Sequence, residues 1–192
     1  ISIVTRSGTN QFHGTVFDYF RNDILDANNW FANSVGQPKP QERQNDFGGT
    51  FSGPLLKEKT FFFFSYEGLR LRLPQTTLTK VPDLAARQNA IPAMQPFLNA
   101  FPIDPGQPDN LAAGVAQFSR SYSNPATLDA YSIRIDHKLN DKFSLFGRYN
   151  YSPSSIIQRG AGNSSLNTLN ATDLTTQTAT AGASWAISSA MV

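Results

Sequence analysis

Few residues of this chain have the type and spacing to do covalent or metal chemistry. His13 and His137 are the only histidines, and cysteine is absent, which rules out a disulfide framework and a thiolate metal site. The run "IDHKLND" brings two aspartates and a histidine together. Asp136 and His137 are adjacent, however, and neighbours on a strand point to opposite faces. "HGT" at residues 13–15 is no nucleophile elbow, since no G-x-S-x-G occurs. Gly48, Gly49 and Gly53 precede no helix, so they mark strand curvature or close backbone approach rather than a phosphate cradle. Asn163 and Asn170 match glycosylation sequons, a short pattern that carries no weight on its own. Trp30 and Phe31 sit in a polar stretch, where they either stack on a ligand ring or pack a loop. No catalytic, cofactor-binding or metal-binding residue is expected, and the chain reads as a protein that is not an enzyme.

The elements that would hold these residues are strands. Among 192 residues, 40% are hydrophobic and 12% aromatic, with 15 phenylalanines, yet the mean hydropathy is −0.33. Apolar residues are therefore concentrated on particular faces. The net charge of +2 comes from scattered residues and gives no basic stripe for nucleic acid. In "LDAYSIRIDHKLNDKFSLFGRYNYS" two alternating runs flank the polar turn Asn140-Asp141, which reads as a β-hairpin. "QNDFGGTFSGPLL" and "KTFFFFSYEGLRLR" make a second hairpin, with the first strand expected to stop at Pro54. "FHGTVFDYFRND" and "LTTQTATAGASWAIS" supply a strand on either side.

Six strands of 9–13 residues result, joined alternately by long and short connections: residues 22–44, a turn, 73–127, a turn, and 153–173. Short helices are expected in "PDLAARQNA" and "PAMQPFLNAF". Long connections on one side only are the habit of transmembrane β-barrels. A soluble β-sandwich used for binding or adhesion remains the alternative. In the barrel reading Phe17, Tyr19, Phe62, Phe64, Tyr66, Ile133, Ile135, Phe143, Leu145, Tyr149, Tyr151 and Trp185 face lipid. Asp18, Asp46, Glu67, Arg134, Asp136 and Arg148 face the lumen. Phe61 and Phe63 then point inward, which suits a filled interior rather than a water-filled pore.

Three stretches, "IVTRSGTNQFHGTVFDYFRNDILDANNWF", "RQNDFGGTFSGPLLKEKTFFFFSYEGLR" and "DAYSIRIDHKLNDKFSLFGRYNYS", resemble the Oar-like TonB-dependent transporters of bacterial outer membranes. Ser52 stands where that family's second motif has the first glycine of a Gly-Gly-Pro. The resemblance implies an all-β fold, a partial antiparallel transmembrane barrel of about six strands out of a larger barrel of about 22, with long extracellular loops carrying short helices. It implies that residues 1–9 end a plug domain and residues 10–192 begin the barrel. It further implies uptake of a scarce, bulky solute such as a siderophore, oligosaccharide or peptide, with outer-membrane lipid and TonB as partners and no cofactor. A non-energised outer-membrane channel is the remaining alternative.

Overall fold

A computed structural model describes residues 5–34, 36–104, 109, 112–160 and 167–187. Six antiparallel strands form one sheet in sequence order: β1 (His13–Asn22), β2 (Arg43–Leu56), β3 (Thr60–Pro82), β4 (Val115–Asn140), β5 (Phe143–Arg159) and β6 (Leu169–Trp185). The sheet does not close: β1 and β6 are its edges. There is no second layer packed on it among the described residues, so the sandwich alternative fails and a sector of barrel wall remains. Most large apolar side chains are correspondingly exposed, Ile133 and Ile135 at 44% each. A soluble domain does not leave a contiguous surface of that kind bare. No helix among the described residues is long and apolar enough to cross a membrane, which says nothing of crossing by strands.

Two strands are much longer than their alternation suggests. β3 and β4 stay paired as far as Pro82↔Val115, so the expected connection over residues 73–127 shrinks to residues 83–114. β5 and β6 likewise pair out to Arg159↔Leu169. A tilted membrane strand needs about 9–11 residues. The β3–β4 hairpin therefore projects well beyond any bilayer, about 50 Å along the strand past Tyr66 at 3.3 Å per residue. Beyond Leu73 the strands run through threonines and serines and the apolar alternation lapses, which is why the sequence pattern stops early.

The tip of that hairpin has its own small core. Val81, Ala116 and Phe118 are buried with Phe101 against them. Helices α2 (Leu84–Asn89) and α3 (Gln95–Asn99) lie in the connection at this tip, where short helices were expected. Asp83 caps α2, accepting a hydrogen bond from the Ala86 N–H at 2.6 Å. The Arg87 guanidinium is buried and donates to the carbonyls of Pro82, Leu98, Phe101 and Pro102 at 2.9–3.0 Å. Carbonyls left over at the end of α3 are thus satisfied by one side chain. Helix α1 (Trp30–Ser34) lies in the β1–β2 connection.

At the opposite end the turns are tight. β2 does not stop at Pro54: Pro54 pairs with Phe61 and the ladder continues to Leu56 through a register shift. A bulge accommodates the missing N–H. In the turn that follows, Glu58 has φ of +61°. Its backbone N–H donates to the Asn10 side chain at 2.6 Å, which ties the start of the chain to this turn.

Candidate functional site

Directly paired residues of an antiparallel ladder point to the same face, so the register sorts every side chain. Gly49↔Tyr66, Tyr66↔Tyr131 and Tyr131↔Tyr151 lie on one face. So do Phe51↔Phe64↔Ile133↔Tyr149 and Phe62↔Ile135. Leu145, paired with Ala183, and Phe143, paired with Trp185, complete that face towards the turns. The opposite face holds Asp46, Glu67, Phe61, Phe63, Arg134, Asp136, Phe146 and Arg148. They are called below the Ile133 face and the Arg134 face.

Strand β1 requires a correction. Phe17 pairs with Gly48 and Tyr19 with Asp46, whereas Asp18 pairs with Phe47. Phe17 and Tyr19 therefore stand on the Arg134 face, and Asp18 stands on the Ile133 face, the reverse of the expected grouping. The cause is steric. A Cβ on Gly48 would lie 2.9 Å from the Phe17 ring, so that ring occupies the space the glycine vacates. The Phe17 and Tyr19 rings then meet at 5.5 Å. β1 carries aromatics on both faces, so its own alternation could not decide between them. The signal that does decide is the glycine pair on the neighbouring strand.

The Arg134 face carries a hydrogen-bonded polar network. Arg134 holds Asp136 through Nε and Nη2, with Nε–Oδ2 at 2.9 Å and Nη2–Oδ1 at 2.6 Å. Its guanidinium lies 4.2 Å over the Phe146 ring, a cation–π arrangement. Gly182, opposite Phe146, leaves room for that ring: a Cβ there would approach it to 2.4 Å. Arg148 donates to Asn150 at 3.0 Å and to Ser132 at 3.3 Å, and Asn150 passes the chain on to Thr178 at 2.6 Å.

Thr5 and Gly8, ahead of β1, lie against this face. Arg134 Nη1 donates to the Thr5 hydroxyl. Gly8 is buried, and a Cβ on it would lie 2.3 Å from the Phe62 carbonyl oxygen, 2.9 Å from that of Gly53 and 3.0 Å from the Phe61 Cβ. Only glycine permits so close an approach of two backbones. The extra phenylalanines of the Phe61–Phe64 run are thus half-buried, with Phe61 against this segment.

The Ile133 face has aromatics at two levels and apolar side chains between them. Tyr66 and Tyr131 meet at 4.9 Å, Tyr131 and Tyr151 at 6.2 Å. Phe143 and Trp185 pair eight positions nearer the turns along β5. At a tilt of about 40° that separation spans about 21 Å, close to the height of a lipid-facing band. The charges on this face lie beyond the tyrosines, towards the long loops. Arg70 grips Asp129 at 2.9 and 3.1 Å, and the Tyr66 hydroxyl donates to the same carboxylate at 2.6 Å.

Where β1 and β2 run into their long connection lies a cavity of about 350 Å³. Arg21 reaches across it to Asp26 at 3.0 Å and Glu42 at 2.8 Å. Lys39 donates to the backbone carbonyls of Asp23 and Asp26. Trp30 and Phe31 lie in α1, exposed at 71% and 66%, their rings edge to face at 5.1 Å. His13 and His137 are not brought together; His137 Nδ1 and the Thr60 hydroxyl share a hydrogen bond of 2.8 Å across β3 and β4. Among the described residues no group of histidines and carboxylates could hold a metal ion. The sequons Asn163 and Asn170 part company: Asn163 lies outside the described residues and Asn170 opens β6.

Comparison with known proteins follows the same lines. The outer membrane beta barrel domain family matches residues 4–91 and 87–192. The TonB-dependent transporter Oar of Myxococcus xanthus is 37% identical over 70 residues, which are 34% of this chain and 7% of that protein. The chain thus aligns with a small part of that relative's length. No solved structure matches.

Proposed function

Because this chain belongs to the outer membrane beta barrel domain family and so resides in a Gram-negative outer membrane, we propose that it is part of the wall of a TonB-dependent active transporter. The observation that carries the reading is the partition of one single-layered sheet into two unlike faces. One is apolar between two aromatic levels; the other is hydrogen-bonded, and Thr5 and Gly8 lie against it. In hydrocarbon every backbone group must be paired internally, so strands span only as a closed barrel. On this reading the Ile133 face is dissolved in lipid and the Arg134 face looks into a lumen filled by protein. Residues 1–9 are the end of the plug, and Thr5 and Gly8 are its contacts with the wall.

The long connections then face outward and meet the solute. The cavity beside Arg21, Lys39 and Glu42 offers charged groups of both signs, and Trp30 and Phe31 offer aromatic surface. The chain carries out no bond chemistry; it selects and passes a bulky, scarce solute, with TonB acting through parts of the protein beyond this sequence. The test is genetic. Strains lacking the gene, or lacking TonB, are grown on a panel of iron chelates, oligosaccharides and peptides as limiting nutrients. The reading expects at least one nutrient whose uptake is lost in both strains. Uptake lost with the gene but retained without TonB would make the protein a passive channel.

A further inference from the structure

Arg43 and Arg72 are direct cross-strand partners, so two guanidinium groups stand side by side on the Ile133 face. Like charges placed opposite each other weaken a sheet unless something neutralises them. Neither guanidinium has an ion pair or a hydrogen bond among the described residues, and the nearby carboxylates are taken. Asp129 is held by Arg70. Glu42, next in sequence to Arg43, is held by Arg21 at 2.8 Å. The rest of a barrel cannot cover the pair either: β2 and β3 are interior strands whose neighbours, β1 and β4, are both present. Arg70 stands one same-face position nearer the tyrosines, its guanidinium 5.7 Å over the Phe47 ring.

Position supplies the counter-ion. Arg72 follows Tyr66 by six residues on β3, about 15 Å farther out at a 40° tilt. That level lies outside hydrocarbon, from where the long arginine side chains reach back towards the lipid head groups. Guanidinium forks bind phosphate oxygens in pairs, and two facing forks make a clamp for one phosphate. We propose that Arg43 and Arg72, with Arg70 beside them, form a binding site for the phosphate group of an outer-leaflet lipid. The bound lipid neutralises the paired charges and pins the β2–β3 hairpin at the membrane surface.

The site rests on the assignment of the Ile133 face to lipid, and the experiment separates the two. Full-length protein is extracted from outer membranes in mild detergent, and bound phosphate-bearing lipid is counted by native mass spectrometry. Three forms are compared: the natural protein, Arg43→Gln/Arg72→Gln, and Arg43→Lys/Arg72→Lys. Arg72→Gln alone serves if the double variant fails to form a heat-resistant barrel. The expected result is at least a twofold loss of bound lipid with glutamine, recovery with lysine, and no displacement by 10 mM inorganic phosphate. Unchanged lipid counts with glutamine overturn the site, and displacement by inorganic phosphate overturns the lipid as its ligand. A spin label at residue 133 of the same protein reports the face: relaxation by oxygen but not by a water-soluble nickel chelate upholds it. The reverse pattern removes the face assignment and the site together.

Discussion

Placing a charge at residue 135 is the sharpest energetic test of the two faces. Ile135 pairs with Phe62 and Gly147 on the Ile133 face, four residues from Tyr131 towards the turns. That places it about 10 Å below the tyrosine row at a tilt of about 40°, near the middle of the apolar band. Arginine or lysine at mid-bilayer costs about 2–4 kcal/mol, so Ile135→Lys should raise the unfolding equilibrium constant about 30- to 900-fold. Ser65→Lys is the control on the other face. Ser65 is on the Arg134 face, next to Tyr66 and so nearer the tyrosine row than Ile135, opposite Ser132 and Thr50 and two residues from Glu67. Its cost should stay below about 1 kcal/mol, since a wet or protein-lined interior tolerates the ammonium. The assay is reversible urea unfolding of the full-length barrel in lipid vesicles, followed by tryptophan fluorescence, with m-values checked for constancy. Equal costs for the two variants, or a larger cost for Ser65→Lys, would refute the assignment of faces.

Other substitutions probe the positions that glycine and arginine hold. Gly8→Val puts a side chain against the carbonyls of Phe62 and Gly53, neither of which can yield. Disulfide formation between cysteines placed at residues 5 and 134 of the full-length protein should then fall severalfold, and unchanged crosslinking would show that the segment does not pack there. Arg87→Ala strips four backbone carbonyls of their donor. Opening of the hairpin tip, read by hydrogen exchange at residues 81–89, should become easier by about 2–4 kcal/mol, while the membrane strands stay protected. Glu58→Gly removes a left-handed side chain from the β2–β3 turn and should stabilise by about 0.5–1 kcal/mol in the same urea assay. Asp141, in the β4–β5 turn, is held below the ordinary aspartate range by its hydrogen bond to Lys138. Its contribution to stability is present above that range and fades as pH falls through the lowered midpoint. An NMR titration should find that midpoint depressed and restored by Lys138→Gln.

The parts of this fold that are legible in the sequence are those the bilayer dictates. Between Tyr131 and Tyr151 one face is apolar because it must be, and the Asn140-Asp141 turn fixes the register of the two strands around it. Where that demand lifts, so does the pattern. Beyond Leu73 the β3–β4 hairpin runs on through threonines and serines, and nothing in its alternation distinguishes it from loop. β1 is misread for a different reason. Val16, Phe17, Tyr19 and Phe20 give it two apolar faces, and the choice is made by the partner strand, where Gly48 admits the Phe17 ring. Arg43, Arg70, Arg72 and Asp129 share the Ile133 face beyond the tyrosine row, so charge alone does not tell which side of the sheet a residue takes. Arg87 offers no signal in sequence, since its partners are backbone carbonyls gathered by the fold.

One spectroscopic scan decides the central claim. The natural chain has no cysteine in the sequence given, so single spin labels can be placed in turn at residues 61 to 66 of the full-length barrel in native-like bilayers. Oxygen should relax the labels at 62, 64 and 66 strongly, while those at 61, 63 and 65 should show the restricted motion of an interior packed with protein. A scan without that two-residue period, or with its phase inverted, would mean that these strands do not face hydrocarbon on the side that carries Phe62, Phe64 and Ile133.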